Sequence, residues 1–189
     1  SELIIMQQEI FIETKSKMEK AIEHYKQEVS FVRTGRASMH ILNPVKVDYY
    51  GVPTPLNNVA NITIPEAQLI SIQPFDPTSL ELIEKAIVES DIGLTPNNDG
   101  NIIRLNIPTL TDDRRKELVK QVHKIIEDGK VAIRNIRRDA NDQLKKMEKS
   151  HDLSEDNLKR ELDNIQEITD KNIVSLDTIQ NNKEKEILN

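Results

Sequence analysis

The chain has no cysteine and no tryptophan. Without thiols it can form no disulfide, no nucleophilic thiolate and no thiolate metal site. Aromatic residues make up only 3% of it, so any core must be aliphatic, which suits long helices with solvated flanks. No stretch of about 18 apolar residues is present, the length needed to cross a bilayer. The first residues also lack the basic-then-apolar order of a secretory signal, so no membrane association is expected and the Asn61-Ile62-Thr63 sequon reads as chance. His24, His40, His123 and His151 are scattered, with no spacing that makes a metal pair. No serine sits in a nucleophile elbow. Gly129-Lys130 lacks both the upstream glycines and the following Ser or Thr of a phosphate-binding loop. The expectation is a protein that is not an enzyme, with no catalytic residue, no metal and no cofactor.

Glycine and proline are scarce over most of the chain and concentrated in one part of it. All eight prolines, and four of the five glycines, lie between Val32 and Leu110, which excludes long helices there. Extended runs appear instead: Val45–Tyr49, Val59–Ile64, Leu69–Ile72 and Ile102–Ile107. Leu80, Ile83, Ala86 and Ile87 keep helical spacing, so one short helix is expected over Ser79–Ser90. Gly51 and the Asn98-Asp99-Gly100 triplet read as turns. These features describe a β-rich α/β module of about 75 residues, a size that can fold alone.

On either side of this module the period changes to that of helices. Ile4, Phe11, Met18, Tyr25 and Val32 recur every seventh residue, with Ile22 and Val29 between them, and predict a first long helix. From Thr111, a natural N-cap, Asp112 and Asp113 sit at the positive end of a second helix. Its apolar residues Leu118, Val122, Ile125, Ile126, Ile133, Ile136, Ala140 and Leu144 keep one phase through Gly129. That continuity predicts one helix of nearly forty residues, roughly 55 Å long, although glycine costs about 1 kcal/mol inside a helix. Ser150–Ser154 reads as a short reversal, with Ser154 capping a third helix whose seam is Leu158, Leu162, Ile165, Ile168, Leu176 and Ile179. Three amphipathic helices bury their stripes only against one another, as an antiparallel bundle. The expected class is therefore α+β with two domains: a discontinuous bundle of residues 1–31 plus 109–189, and an inserted domain of residues 32–108. Two crossings join them and form a hinge at Val32, Thr34, Gly35 and Pro108.

The net charge is −6, which argues against indiscriminate coating of nucleic acid, but the charge is unevenly spread. Only residues 111–150 are net positive, with twelve Lys and Arg against eight Asp and Glu. On the second helix Lys116, Lys120, Lys130, Arg134, Arg137, Arg138, Lys145 and Lys149 share the side opposite the apolar seam, interrupted by Glu127 alone. Arginine forks suit phosphate oxygens. A local stripe acts despite a negative total, because charges more than about 8–10 Å apart are screened. Arg33 and Arg36, flanking Thr34-Gly35, and Arg114 and Arg115 are further candidates for polyanion contact. Ion pairing with Asp112, Asp113 and Glu117 is an equally good reading of the last two.

Several motifs, taken in order, give a specific resemblance. Val32-Arg33-Thr34-Gly35-Arg36-Ala37-Ser38, Asp48-Tyr49-Tyr50-Gly51-Val52-Pro53-Thr54-Pro55-Leu56, Glu84-Lys85-Ala86-Ile87 with Ser90-Asp91-Ile92-Gly93-Leu94, Arg114-Arg115-Lys116-Glu117-Leu118 and Arg134-Asn135-Ile136-Arg137-Arg138-Asp139-Ala140 closely resemble the ribosome recycling factor family over nearly the whole chain. The resemblance implies an L-shaped, tRNA-sized monomer that acts after termination. With elongation factor G and GTP, such a factor splits the ribosome into subunits without itself making or breaking a bond. It also implies contact with large-subunit ribosomal RNA through Arg33, Arg36, Arg114, Arg115, Arg134, Arg137 and Arg138, to which the helix phasing adds Lys130. The home it implies is a bacterial cytoplasm, or an organelle where a targeting segment has been removed. The alternative from another class is a helical RNA-binding or coiled-coil scaffold protein without ribosome-splitting activity.

Overall fold

A computed structural model describes residues 2–189 of the chain. It divides into two compact units: the chain up to Val32 together with Lys116–Asn189, and Arg33–Arg115.

The first unit is built from α1 (Glu2–Ser30) and two helices that follow the insertion, named α3 (Asp112–Lys149) and α4 (Glu155–Leu188) because a short helix precedes them. Both later helices start on the caps expected of them. The Arg114 amide donates to Thr111 Oγ1 at 3.1 Å, and the Asn157 amide to Ser154 Oγ at 3.1 Å. The reversal between them closes with His151 in the left-handed region, φ +62°. There Asp152 N donates to Met147 O and His151 N to Glu148 O, which satisfies carbonyls that a helix end otherwise leaves orphaned.

α1 runs parallel to α4 and antiparallel to α3. Phe11 packs on a cluster containing Leu158, Leu162, Ile165 and Ile168, and seven residues on, Met18 Sδ lies 3.6 Å from Asn172 Nδ2. Met18, Val122, Ile126, Ile133, Leu144, Ile165 and Leu176 are fully buried. Gly129 is buried without breaking α3. A Cβ there would stand 3.1 Å from Tyr25 Cγ and 3.3 Å from Leu176 Cδ1, so the missing side chain is what lets the three helices close. One seam residue is displaced from its expected position: Ile4 is 55% exposed. It lies near the start of α1, whereas Thr14 and Thr169 are buried in the interior. Thr169 tolerates burial because its hydroxyl donates to the Ile165 carbonyl at 2.7 Å.

The second unit holds β1 (Lys46–Tyr49), β2 (Val52–Pro55), β3 (Ala60–Glu66), β4 (Leu69–Pro74), α2 (Leu80–Glu89), β5 (Pro96–Asn98) and β6 (Ile103–Asn106). β1 and β2 form a hairpin, and β3-β4-β6-β5 an antiparallel four-stranded sheet. One sheet face and the apolar side of α2 enclose Val47, Ile70, Ile72, Ile83, Ile87, Ile103 and Leu105. The extended run at Pro96 was not expected. It is an edge strand of three residues, the place where proline costs no ladder bond.

The segments by which the chain enters and leaves this unit are tied together. The Ala37 amide donates to the Ala67 carbonyl at 2.6 Å and the Ile107 amide to the Gln68 carbonyl at 2.8 Å. The turn between β3 and β4 thus holds both. Gly35, φ +75°, packs directly under Leu110, whose Cγ would lie 3.0 Å from an added Cβ.

Candidate nucleic-acid interface

α3 carries twelve Lys and Arg against eight Asp and Glu, whereas α1 carries four against six and α4 five against nine. The bundle is therefore polar in charge, with its positive side on α3. Asp112 and Asp113 at the first turn and Lys146 and Lys149 at the last complement the helix dipole. Of the remaining cations, Arg115, Lys124 and Lys130 are ion-paired with Asp112, Asp128 and Asp177.

Arg134 and Arg138 stand one turn apart on the outer face and are exposed. Among the described residues neither makes an ion pair or hydrogen bond. Along the same face Lys116 and Lys120, Arg134 and Arg138, and Lys145 and Lys149 are like charges at four-residue spacing. Each such pair costs an isolated helix about 0.2–0.5 kcal/mol. A run of repulsive pairs with arginines at its centre is an arrangement that an external polyanion would relieve, since anionic oxygens placed between like cations offset their repulsion.

The flank of this face is shaped by α4. Arg137 Nη1 donates to Gln166 Oε1 at 3.2 Å, and Gln166 Nε2 donates to Asp170 Oδ1 at 2.8 Å. Arg137 is thus half-buried and oriented at the edge of the stripe. Lys130 behaves differently from its expected role. Its Nζ lies 2.6 Å from Asp177 Oδ1 and 3.5 Å from Glu127 Oε1, and its side chain is 15% exposed. The hydrogen bond that its ammonium donates to Asp177, helped by the attraction of both carboxylates and opposed by burial, holds it above the ordinary lysine pKa. Lys130 is therefore a helix-to-helix tie with its charge already matched, because the antiparallel register places Asp177 opposite it. Gln166, Asp170 and Asp177 had no signal in the sequence, since only that register brings them to α3.

The other candidates, Arg33, Arg36, Arg114 and Arg115, all fall in the Arg33–Arg115 unit. Arg115 lies within 3.6 Å of Asp112 Oδ1, so ion pairing holds for it, and its Nε is buried without a partner. Arg114 is exposed at the same turn. Both stand about twenty residues, roughly 30 Å of helix, from Arg134. Arg33 and Arg36 belong to the Arg33–Arg115 unit. Arg36 is exposed. Arg33 is half-buried and donates through Nη2 to the Ile92 carbonyl, and burial lowers its pKa. It fastens the entering segment to the loop after α2. Of the expected hinge positions, Val32 is buried in the bundle unit, while Thr34, Gly35 and Pro108 fall within the other.

Among the described residues no group of His, Asp and Glu is placed to hold a metal ion, and no helix is long and apolar enough to cross a membrane.

Known proteins can now be set beside this geometry. The family model described as ribosome recycling factor matches residues 25–188. A protein of Bacillus cytotoxicus named ribosome-recycling factor is 54% identical over 183 residues, covering 97% of this chain and 99% of its own. Its namesake in Bacillus subtilis is 51% identical over the same shares. A solution structure of the ribosome recycling factor superposes with a TM-score of 0.81 at 41% identity, covering 96% of this chain and 97% of that one. A second structure, 46% identical with a TM-score of 0.68, covers 97% of this chain and 99% of its own. It comes from models of the T. thermophilus factor and E. coli elongation factor G bound to the E. coli post-termination complex. The family model, the relatives matched over 97% of the chain and the shared fold agree, and the chain belongs to the ribosome recycling factor family.

Proposed function

We propose that this chain is a cytoplasmic, monomeric translation factor that works with elongation factor G and GTP to disassemble the post-termination ribosome into subunits. The observation that carries the site is the exposed, unpaired Arg134 and Arg138 on the one net-positive helix of an acidic chain. With Arg137 beside them, these arginines anchor the bundle on phosphates of large-subunit ribosomal RNA. Arg36, Arg114 and Arg115 extend the contact, and Arg33 supports it from within its own unit. The factor makes and breaks no bond, and GTP is hydrolysed by its partner.

The moving part is the pair of connections between the two units. The Ala67-Gln68 turn holds Ala37 and Ile107, so the pivot lies outside that clamp, at Val32–Thr34 and beyond Pro108. Displacement of the α/β unit by the GTPase, against a bundle fixed on RNA, strains the contacts between subunits. Relatives similar over nearly the whole chain, one of them placed with elongation factor G on a post-termination complex, support this over a scaffold role.

The test is subunit splitting of post-termination ribosomes by light scattering, with elongation factor G and GTP. Splitting should require this protein. Replacing Arg134, Arg137 and Arg138 together by alanine removes three charge-assisted contacts at about 1 to 1.5 kcal/mol each, so ribosome affinity should fall by roughly 10²- to 10³-fold. Unchanged affinity in a pelleting assay, with the helical spectrum intact, would overturn the site.

A further inference from the structure

The side of the bundle turned away from α3 carries an unfilled groove. Two adjoining clefts of about 350 and 310 Å³ lie between α1 and α4 and share Phe11 and Asn164. Phe11, Ile12 and Ile168 form the apolar lining, and Ile12 is 65% exposed. The groove follows Gln8 to Glu19 on α1, about three helical turns or roughly 16 Å. Its two walls are parallel helices whose lining residues recur at three- and four-residue spacing, the geometry that receives the apolar ridge of another helix. One wall is pre-ordered, because the Asn172 amide donates to the Ile168 carbonyl at 2.7 Å.

The charge of the walls selects the occupant. α1 and α4 together carry nine Lys and Arg against fifteen Asp and Glu. On the rim, Glu19, Glu161 and Glu167 face Lys15 and Lys171, and Lys171 is taken up by Glu167 at 3.3 Å. With Glu167 taken up by Lys171, Glu19 and Glu161 are left on the rim against Lys15, which offers phosphates no cationic cluster, and a second copy set groove to groove would bring glutamate against glutamate. We propose that the α1–α4 groove docks a basic, amphipathic helical segment of a ribosome-bound protein, with aliphatic side chains over Phe11 and Ile12 and lysines or arginines on the glutamates. It is the bundle's protein-facing side, as α3 is its RNA-facing side. The proposal rests on the reading that α3 anchors the bundle on the ribosome.

The experiment places a photo-crosslinking benzoylphenylalanine at the exposed Ile12 of the full chain. The variant is irradiated on post-termination ribosomes with elongation factor G, and pelleting is read in the same samples. The expected product is a crosslink to a Lys/Arg-rich protein segment, identified by mass spectrometry. Adding Glu19→Lys, Glu161→Lys and Glu167→Lys should reduce that crosslink at least fivefold in protein whose circular dichroism is unchanged. A variant that pellets normally but crosslinks only to RNA, to a second copy or to nothing overturns the groove while leaving the α3 reading in place. A crosslink indifferent to the charge reversal overturns it too. Loss of pelleting by the Ile12 variant under conditions where the unmodified chain also fails to bind removes the α3 reading and the groove with it.

Discussion

Replacing Gly129 by alanine sets two opposed effects against each other at one atom. In an isolated helix the change stabilises by about 1 kcal/mol, because alanine has far less backbone freedom to lose. In this bundle the new Cβ would stand 3.1 Å from Tyr25 Cγ, 3.2 Å from Tyr25 Cδ2 and 3.3 Å from Leu176 Cδ1. Carbon atoms prefer roughly 3.5–4.0 Å, so α1 or α4 must retreat by several tenths of an ångström. Leu176 is fully buried and has nowhere to go. Overpacking of this kind costs about 1–3 kcal/mol, which exceeds the propensity gain. Gly129→Ala should therefore destabilise by roughly 1 kcal/mol in the native background.

The decisive version is a double-mutant cycle. Tyr25→Ala removes two of the three obstructing atoms, so Gly129→Ala in that background should recover most of the propensity gain. The coupling should be about 1–2 kcal/mol, measured by urea unfolding of the four proteins followed at 222 nm. In thermal unfolding each kcal/mol appears as roughly 2–4 °C for a chain of this size. Coupling below about 0.5 kcal/mol, the limit for independent sites, would refute the view that Gly129 exists for helix closure. So would a native-background Gly129→Ala more stable by the full propensity difference.

Lys130→Gln should leave ribosome affinity within about twofold of the native value while lowering bundle stability by about 1 kcal/mol, since Lys130 is engaged by the half-exposed Asp177 and the pair is partly screened. A loss in pelleting comparable to that of Arg134→Ala would return Lys130 to the RNA-binding set. Asp99 accepts amide hydrogen bonds from Ile102 and Asn101 and a side-chain bond from Arg104, which lower its pKa to about 2. Because the folded pKa is depressed, its contribution to stability is present above the ordinary value of 3.8 and is lost as pH falls through about 2. An NMR titration of its carboxyl carbon with a midpoint near 3.8 would contradict the hydrogen-bonded turn. Gly35→Ala meets both a positive φ and Leu110 at 3.0 Å, so the α/β unit should lose about 2 kcal/mol, read by amide exchange of its buried strands β4 and β6. Exchange unchanged from the native protein would show that Leu110 yields freely.

What could be read in advance was what is encoded locally. Thr111 and Ser154 announce their helices because an N-cap needs only a side-chain oxygen and an amide two or three residues on. The phase of Val122, Ile126, Ile133 and Ile136 carried α3 through Gly129 because periodicity spans a single substitution. Why that residue is glycine was hidden, since the reason lies in Tyr25 and Leu176, far away in the chain. The strand at Pro96 was hidden for the opposite reason: three residues are too few to show a period, and its pairing with β6 is tertiary. The arginine face was legible as a stripe, but its composition was not. Lys130 and Arg134 look equivalent on a helical projection and differ chiefly because Asp177 lies opposite one of them. Arg33 likewise reads as a free cation until the fold brings the Ile92 carbonyl to it.

The contact between Gly35 and Leu110 also bears on the order in which the molecule assembles. During synthesis α1 emerges first and has no partner until α3 and α4 follow. Closing it onto them across an unfolded insertion would enclose a loop of roughly 80 residues. Once the insertion has folded, with Gly35 against Leu110, the effective loop shrinks to about ten residues, which lowers the closure cost by about 2 kcal/mol. An α/β unit that folded ahead of the bundle would act as an internal splint, bringing the two halves of the bundle's chain together and making their pairing nearly local.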